Sequence, residues 1–492
     1  MTLPEKHNRD DDSTGKSEGE VEMVTPVGGS EYEKKLVRKL DKHIVPVVIM
    51  LYLLSFLDRV NIGSARLYHM ERDLGMVGNQ YQLAVSILFV TYIAFELPGN
   101  LVIKKITPRY YISFITVAWG IIATLTGIVQ SYAGLLVCRL LLGAVEAGLF
   151  PGLTLYLTFF YTKGELALRI GYLFVSAALA GACGGLLAYA IGYMDGIAGQ
   201  SGWRWILIIE GIPTILMGIV TFFALADDPE TAPYLTEEER AFAVSRMSRE
   251  AEATKEAKEF RWEDAMKAVK DWRVWVFSVA QFCMDTMLYG YSTFLPTMIK
   301  GIGAGNWSNA QVQALTIPCY ALGAIAYLVT AWFSDRKQQR GLFTAGVVCF
   351  SLVGYAILIS PAPPGAHYFA CFLVATGLYV AVGIPLAWLP SNCPRYGKRA
   401  TASGIQLTLG NASGVLAPFL FPTADGPRFF VGYGVSMALV ALGIFCHLVL
   451  WFAYSKVNKD REAGKYNHLI EGMDEQAVKE MGDDSPNYRY TK

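Results

Sequence analysis

The sequence predicts an all-α membrane protein with about twelve transmembrane helices in two pseudo-symmetric halves of six. Three observations lead there. Of the 492 residues, 53% are hydrophobic and only 17% charged, where soluble chains carry nearer a quarter. The charges sit in blocks separated by apolar runs of about 20 residues, the length that crosses a hydrocarbon core. A short polar segment also recurs at the same place in each half, at a constant offset.

The apolar runs place spans at 43–63, 82–102, 111–130, 134–157, 170–192, 204–226, 273–295, 310–332, 342–360, 367–388, 401–421 and 430–454. This divides the chain into an N-terminal tail (1–42), a first bundle (43–226), a linker (227–272), a second bundle (273–454) and a C-terminal tail (455–492). Both tails are charged and poor in apolar residues, and are expected to be mobile. In the linker, Thr236 followed by Glu239 reads as a capping box opening a surface helix. The first 30 residues have no apolar core, so the first span is expected to act as the insertion signal.

Lys and Arg gather on alternate connections. One set holds Lys34, Lys35, Arg38, Lys39 and Lys42, then Lys104, Lys105 and Arg109, and continues through the linker to Arg336, Lys337 and Arg340. The opposite set has only Arg66, Arg72, Lys300 and Arg428. By the positive-inside rule both termini and the linker face the cytoplasm, in a multi-pass protein expected at the plasma membrane. Asn306-Trp307-Ser308 is then a glycosylation sequon on an outer loop.

The recurring segment is NLVIKKITPR from Asn100 to Arg109 and AWFSDRKQQR from Ala331 to Arg340. Lys104 and Asp335, Lys105 and Arg336, and Arg109 and Arg340 all differ by 231 (335 − 104 = 231). These six positions are expected to form gating contacts. Two such halves around a midplane cavity match transporter architecture. The second copy resembles the loop signature Gly-x-x-x-Asp-Arg-x-x-Arg-Arg of the major facilitator superfamily, with Ala331 in place of Gly.

Charges inside the spans mark the expected site, because each costs about 2.5–3.5 kcal/mol or more in a bilayer. Asp58 and Arg59 interrupt the first span, about 22 Å from its inner start. Arg139, about 8 Å from the outer start of the fourth span, lies at similar depth. An Asp58–Arg139 ion pair is therefore expected. Glu146 lies two turns further along the same face, near mid-membrane, as a carboxylate suited to carrying a proton. Arg59, about 100° round the helix from Asp58, is left to meet an anionic carboxylate. Asp285 in span 7 and Gln406 and Asn411 in the Gly-rich span 11 are further candidates for the cavity wall. Tyr289 and Tyr291 are either cavity aromatics or packing residues. Glu96 and Glu210 read as structural, with Glu96 positioned to hold the basic loop.

Other classes lack support. Zero formal net charge gives no attraction to nucleic acid. No phosphate-binding loop is present, and the six histidines have no metal-ligand spacing. Seven of eight cysteines fall inside spans, Cys393 being the exception, so no disulfide framework is readable. Neither an enzyme nor a cofactor or metal is expected, and a single chain is expected to act as a monomer.

The motifs FLDRVNIGSAR, FELPGN, CRLLLGAVEAGLFPG, MDGIAGQSGWRWILIIEGIPT, ADDPETAPYLTEEER and DDSPNYRY resemble the fungal allantoate permease-type branch of the anion:cation symporter family. The resemblance implies proton coupling and anion recognition by Asp58, Arg59 and Glu146. It also implies that Arg139 is the span-4 arginine, and that Asn411 is a span-11 residue touching substrate. SNCPRYGKRA after span 10 departs from the branch pattern, and AGACGGLLA in span 5 lacks the Gly-Pro pair of drug/proton antiporters. The expected function is proton-coupled uptake of a small organic anion such as a monocarboxylate, vitamin or ureide. Export of a host-made metabolite is the alternative. A non-transporting nutrient receptor fits less well, because the linker and tail are short for signalling.

Overall fold

A computed structural model describes residues 31–103, 106–253, 261–303, 306–422, 425–426, 428–474, 477–478 and 481–492. Among these residues regular structure is helical. Spans 1 to 6 are Glu31–Leu67, Gln80–Ile103, Pro108–Thr126, the pair Tyr132–Glu146 and Leu149–Phe160, Lys163–Ile191, and Gly202–Ala224. Spans 7 to 12 are Trp272–Ile302, Asn309–Lys337, Arg340–Ile359, Pro364–Ser391, Tyr396–Leu416 and Phe430–Glu462. Eight of these twelve are long and apolar enough to cross a membrane by length and composition alone. Among the described residues, spans 2, 3, 7 and 11 are not counted in those eight. In spans 7 and 11, Gln281, Asp285 and Gln406 are buried in the protein, so apolarity is not required of every face.

Helix ends follow local chemistry. Ser131 Oγ accepts from Gly134 N at 3.2 Å at the start of span 4. Ser308 and Gln311 form a reciprocal capping box that opens span 8. Span 4 is interrupted at Ala147 and Gly148, directly after Glu146. Pro151 has no N–H to donate to the Ala147 carbonyl, so the helical ladder lapses there.

The packing repeats with a shift of six. In the first half span 1 packs on spans 5 and 6, span 2 on span 4, and span 3 on spans 4 and 6. In the second half span 7 packs on spans 11 and 12, span 8 on span 10, and span 9 on spans 10 and 12. Between the halves span 5 meets span 8, span 11 meets span 2, and span 1 meets span 7. Adding six to one member of each inter-half pair returns another member of the set, so a pseudo-two-fold axis relates the halves.

The halves press together on the side away from the termini, here called distal. A Cβ on Gly63 of span 1 would lie 2.0 Å from the Thr293 carbonyl oxygen of span 7. One on Gly185 of span 5 would lie 2.4 Å from Thr316 Oγ1 of span 8. Small residues thus let backbones approach across the interface. Four hydrogen bonds add to this seal. Ser64 Oγ donates to Gln313 Oε1 (3.4 Å) and Asn309 Nδ2 to the Leu67 carbonyl (2.8 Å). Gln82 Nε2 donates to the Phe421 carbonyl (3.3 Å) and Ser86 Oγ to the Val415 carbonyl (2.9 Å).

Among the described residues the linker holds two helices. The first, Glu237–Ala253, is opened by the expected capping box: Thr236 N donates to Glu239 Oε2 (2.8 Å) and Glu239 N to Thr236 Oγ1 (3.3 Å). It docks on the first half, where Arg246 Nη1 meets Glu165 Oε1 at 2.9 Å and Lys39 Nζ meets Glu239 Oε2 at 2.6 Å. The second, Trp262–Lys270, docks on the second half through Arg395 Nε and Asp264 Oδ2 at 2.9 Å.

The C-terminal tail differs from its sequence expectation. Residues 481–492 are bound to the ends of spans 7, 10, 11 and 12, not detached. Lys398 Nζ bonds both Asp483 Oδ2 (2.6 Å) and Asp271 Oδ2 (2.9 Å). Trp388 Nε1 donates to the Thr491 carbonyl (2.8 Å), and Asn458 exchanges hydrogen bonds with Tyr490 (2.8 and 2.9 Å). The Tyr490 ring packs 4.6 Å from the Tyr454 ring. Three aromatic or ionic anchors in a short segment outweigh its polar composition. At the other end, the helix of span 1 starts at Glu31 and takes in residues assigned to the N-terminal tail. The first 30 residues lie outside the described residues.

Burial pushes the Asp271 carboxyl up, but hydrogen bonds and charge from Arg273 and then Lys398 outweigh it and hold it below the ordinary aspartate range. Its contribution is present above the unfolded aspartate value and is lost as pH falls through the lower folded value. Thermal stability in detergent is therefore expected to decline at pH values below about 4. Lys398→Ala leaves Asp271 to Arg273 and buried Asp483 to the Tyr490 hydroxyl (3.1 Å) and a longer contact with Arg273 (3.6 Å), with an expected cost of about 1–3 kcal/mol. Limited proteolysis should then cut within 483–492 in the variant and spare the parent.

Candidate functional site

Span 1 deals its polar residues to two neighbours. Ser55 and Arg59 are four residues apart and share a face, while Asp58 is turned about 100° away. Arg59 and Ser55 face span 4, and Asp58 faces span 3. Arg59 Nε donates to Glu146 Oε1 at 2.8 Å, and Ser55 Oγ donates to the same oxygen. Glu146 is fully buried, and its second oxygen has no hydrogen-bond partner. The pair depends on close approach of span 4 to span 2: a Cβ on Gly143 would lie 2.1 Å from the Leu88 carbonyl oxygen. The Arg59 guanidinium also lies 4.7 Å from the Tyr92 ring centroid, a cation–π contact.

The expected Asp58–Arg139 ion pair is not formed. Asp58 Oδ2 instead accepts from Trp119 Nε1 of span 3. Arg139 is buried, and its Nε has no hydrogen-bond partner. Similar depth along two spans does not set rotation about the helix axes, and rotation decides which side chains meet. For the same reason Arg59 is not left free: it holds the carboxylate that was expected to stand alone. Glu210 of span 6 is also buried, with both carboxylate oxygens lacking a partner.

Between the halves, below the distal seal, lies a cavity of about 60 Å³. Arg59, Tyr52 and Phe56 line it from span 1, and Tyr92 and Glu96 from span 2. Asp285 and Tyr289 line it from span 7, Tyr379 from span 10 and Asn411 from span 11. Tyr289 Oη donates to Asn411 Oδ1 at 2.9 Å. Gln406 stands behind this wall, donating to Gln281 Oε1 at 3.1 Å, and Gln281 Nε2 donates to Asp285 Oδ1 at 2.9 Å. Tyr289 is thus a cavity aromatic, whereas Tyr291 is packed away and donates to the Cys371 carbonyl at 2.8 Å.

Several of these residues escaped the sequence reading. Glu96 faces the cavity where it was assigned to the basic loop. Tyr52, Tyr92 and Tyr379 look like ordinary span aromatics in sequence. Ser55 had one available signal, its four-residue spacing from Arg59. The loop residues act within their own halves. Arg109 Nε donates to the Phe222 carbonyl at 2.6 Å, ending span 6. Arg340 bonds Asp335 Oδ1 at 3.1 Å and the Ala387 carbonyl at 2.7 Å, tying the loop to span 10. Arg336 lies over the Trp332 ring at 5.4 Å. The expected contacts of Lys104 and Lys105 lie outside the described residues. Asn306 is exposed.

Twelve pseudo-symmetric helices around a midplane cavity of charged and aromatic residues define a membrane transporter. Residues 48–418 match the Major Facilitator Superfamily, and the chain belongs to that family. It is 40% identical over 430 residues to an uncharacterized transporter of Schizosaccharomyces pombe, covering 87% of this chain and 85% of that protein. It is 32% identical over 498 residues to the high-affinity nicotinic acid transporter of Saccharomyces cerevisiae, covering 98% of this chain and 91% of that one. Among solved structures it resembles a bacterial homolog of the human lysosomal transporter Spinster, inward-facing and occupied, with TM-score 0.64 and 15% identity over 87% of this chain and 98% of that one. A D-xylose-proton symporter matches with TM-score 0.63 and 12% identity over 83% and 97% of the two chains.

A methyl at Gly410 would lie 2.3 Å from Asp285 Oδ2 and 2.8 Å from Gln281 Cγ, whereas Gly404 on the same helix has open space. Gly410→Ala should destabilise the protein by about 1–3 kcal/mol through overpacking. Gly404→Ala should be neutral, or stabilising by up to about 1 kcal/mol. Paired thermal unfolding curves of the two variants check this contrast.

Proposed function

We propose that the chain is a proton-coupled carrier that takes up a small organic anion. The observation that carries this reading is the 2.8 Å bond between Arg59 and Glu146. A guanidinium whose charge and Nε are already committed to one carboxylate attracts an incoming one more weakly. A proton on Glu146 removes that competitor and frees the fork of donors for a substrate carboxylate. The cavity charge points the same way. With Arg59, Glu146, Glu96 and Asp285 all ionised, the sum is 1 − 3 = −2. An anion is repelled from such a cavity unless protons enter with it.

In the proposed cycle Glu146 is protonated from outside, Arg59 takes the anion, and the halves rock about the cavity. Deprotonation towards the cytoplasm lets Glu146 recapture Arg59 and displace the substrate. Asp58, held by Trp119 away from the cavity, is assigned as a second proton position. Asn411, Tyr289 and Asp285 contact substrate, and Gln406 holds Asp285 through Gln281. The Asp335–Arg340 loop keeps span 10 in register during rocking. Similarity to a nicotinic acid transporter supports a vitamin-like monocarboxylate. The termini are placed in the cytoplasm, the carrier at the plasma membrane, and the working unit as a monomer.

Purified protein in vesicles with an imposed pH gradient is the test, using a panel of small carboxylates. Accumulation should appear with an acidic exterior and vanish in Glu146→Gln. Accumulation at the parent level in that variant rules out the coupling role. Arg59→Lys should weaken anion affinity at least about tenfold, a loss of roughly 1.4 kcal/mol, because the bidentate fork is lost. Unchanged affinity would remove Arg59 from recognition.

A further inference from the structure

In the cycle just described Asp285 touches substrate, but the chemistry of that contact is not specified. Asp285 is buried, and no Lys, Arg or His among the described residues pairs with it within 4.0 Å. Arg59 on the opposite half is neutralised by Glu146 and is not its counter-ion. Yet the surroundings of Asp285 are built to hold it. Gln281 Nε2 donates to its Oδ1 at 2.9 Å, and Gln406 Nε2 orients Gln281 at 3.1 Å. Gly410 leaves room for Oδ2, which a Cβ there would approach to 2.3 Å. A fixed acceptor therefore faces the cavity from span 7, while the guanidinium faces it from span 1. The rings of Tyr52, Tyr92, Tyr289 and Tyr379 line the space with them.

We propose that Asp285 is a second recognition pole, which receives a hydrogen-bond donor on the end of the substrate away from its carboxylate. This rests on the reading of the chain as an acid carrier and narrows its substrate class. The preferred substrates are small planar acids with two poles: a carboxylate for Arg59 and an O–H or N–H for Asp285. Bound, such a molecule spans the two halves and ties one to the other. A plain monoacid of the same shape offers no donor to Asp285 Oδ2, and a buried acceptor oxygen without a donor is costly. Sites built around a polar group discriminate strongly against analogues that lack it.

The test is isothermal titration calorimetry on the purified full-length protein in lipid nanodiscs, with benzoate and meta-hydroxybenzoate as a matched pair. The parent should bind meta-hydroxybenzoate at least about tenfold more tightly than benzoate. In Asp285→Ala the ratio should fall to near one. Asp285→Asn, which keeps an acceptor oxygen, should retain part of the preference and covers the case in which the alanine variant does not fold. A ratio near one in the parent overturns this proposal alone, because acid binding itself is then intact. A full ratio retained in Asp285→Ala, or in Asp285→Asn together with loss of pH-driven accumulation, makes Asp285 a proton site only and overturns it too. Failure of the parent to bind either acid also overturns it. In that event Glu146-dependent accumulation of a non-planar acid in vesicles would leave the carrier reading standing, and its absence would remove both.

Discussion

The structure turns on one ion pair buried between spans 1 and 4. An arginine in a bilayer keeps its charge, so it must find a partner or water. Arg59 finds Glu146, and Ser55 adds a donor to the same oxygen. Gly143, three residues before Glu146, lets span 4 lie against span 2. Removing either partner would leave an uncompensated charge, at a cost of about 3–5 kcal/mol. The pair is therefore a structural requirement, and in the proposed cycle it is the point at which a proton changes what the cavity can bind.

The rest of the fold serves the two halves that flank this pair. The distal seal is made from glycines and backbone carbonyls, contacts that depend on close approach and are lost together when the halves separate. On the terminal side the linker divides its loyalties, with one helix on each half. The C-terminal tail fastens spans 7, 10, 11 and 12 of the second half to one another. Each half is thus stiffened separately, which is what rigid-body rocking of one bundle against the other requires.

Much of this was legible in the sequence. Apolar run lengths located all twelve helices, because bilayer thickness imposes them. The shift of 231 residues revealed the two halves, and in-span charges marked Asp58, Arg59, Arg139 and Glu146. What could not be read was rotation. A step of about 100° separates Asp58 from Arg59, and only packing against Trp119 on one side and Glu146 on the other decides which faces what. The same limit hid Glu96, Tyr52, Tyr92 and Tyr379, whose inward facing depends on helix–helix contacts distant in sequence. The C-terminal tail misled for another reason: its polar residues are consumed by partners on spans 7, 11 and 12, and composition does not report partners.

The central claim is that Glu146 exchanges Arg59 for a proton when an anion binds. Infrared difference spectroscopy on the membrane-embedded protein observes this directly, because a protonated carboxyl has its own carbonyl stretch. Addition of a transported acid should produce a new carboxylic-acid band that is absent in Glu146→Gln. No new band on binding, or a band that persists in that variant, would contradict the account.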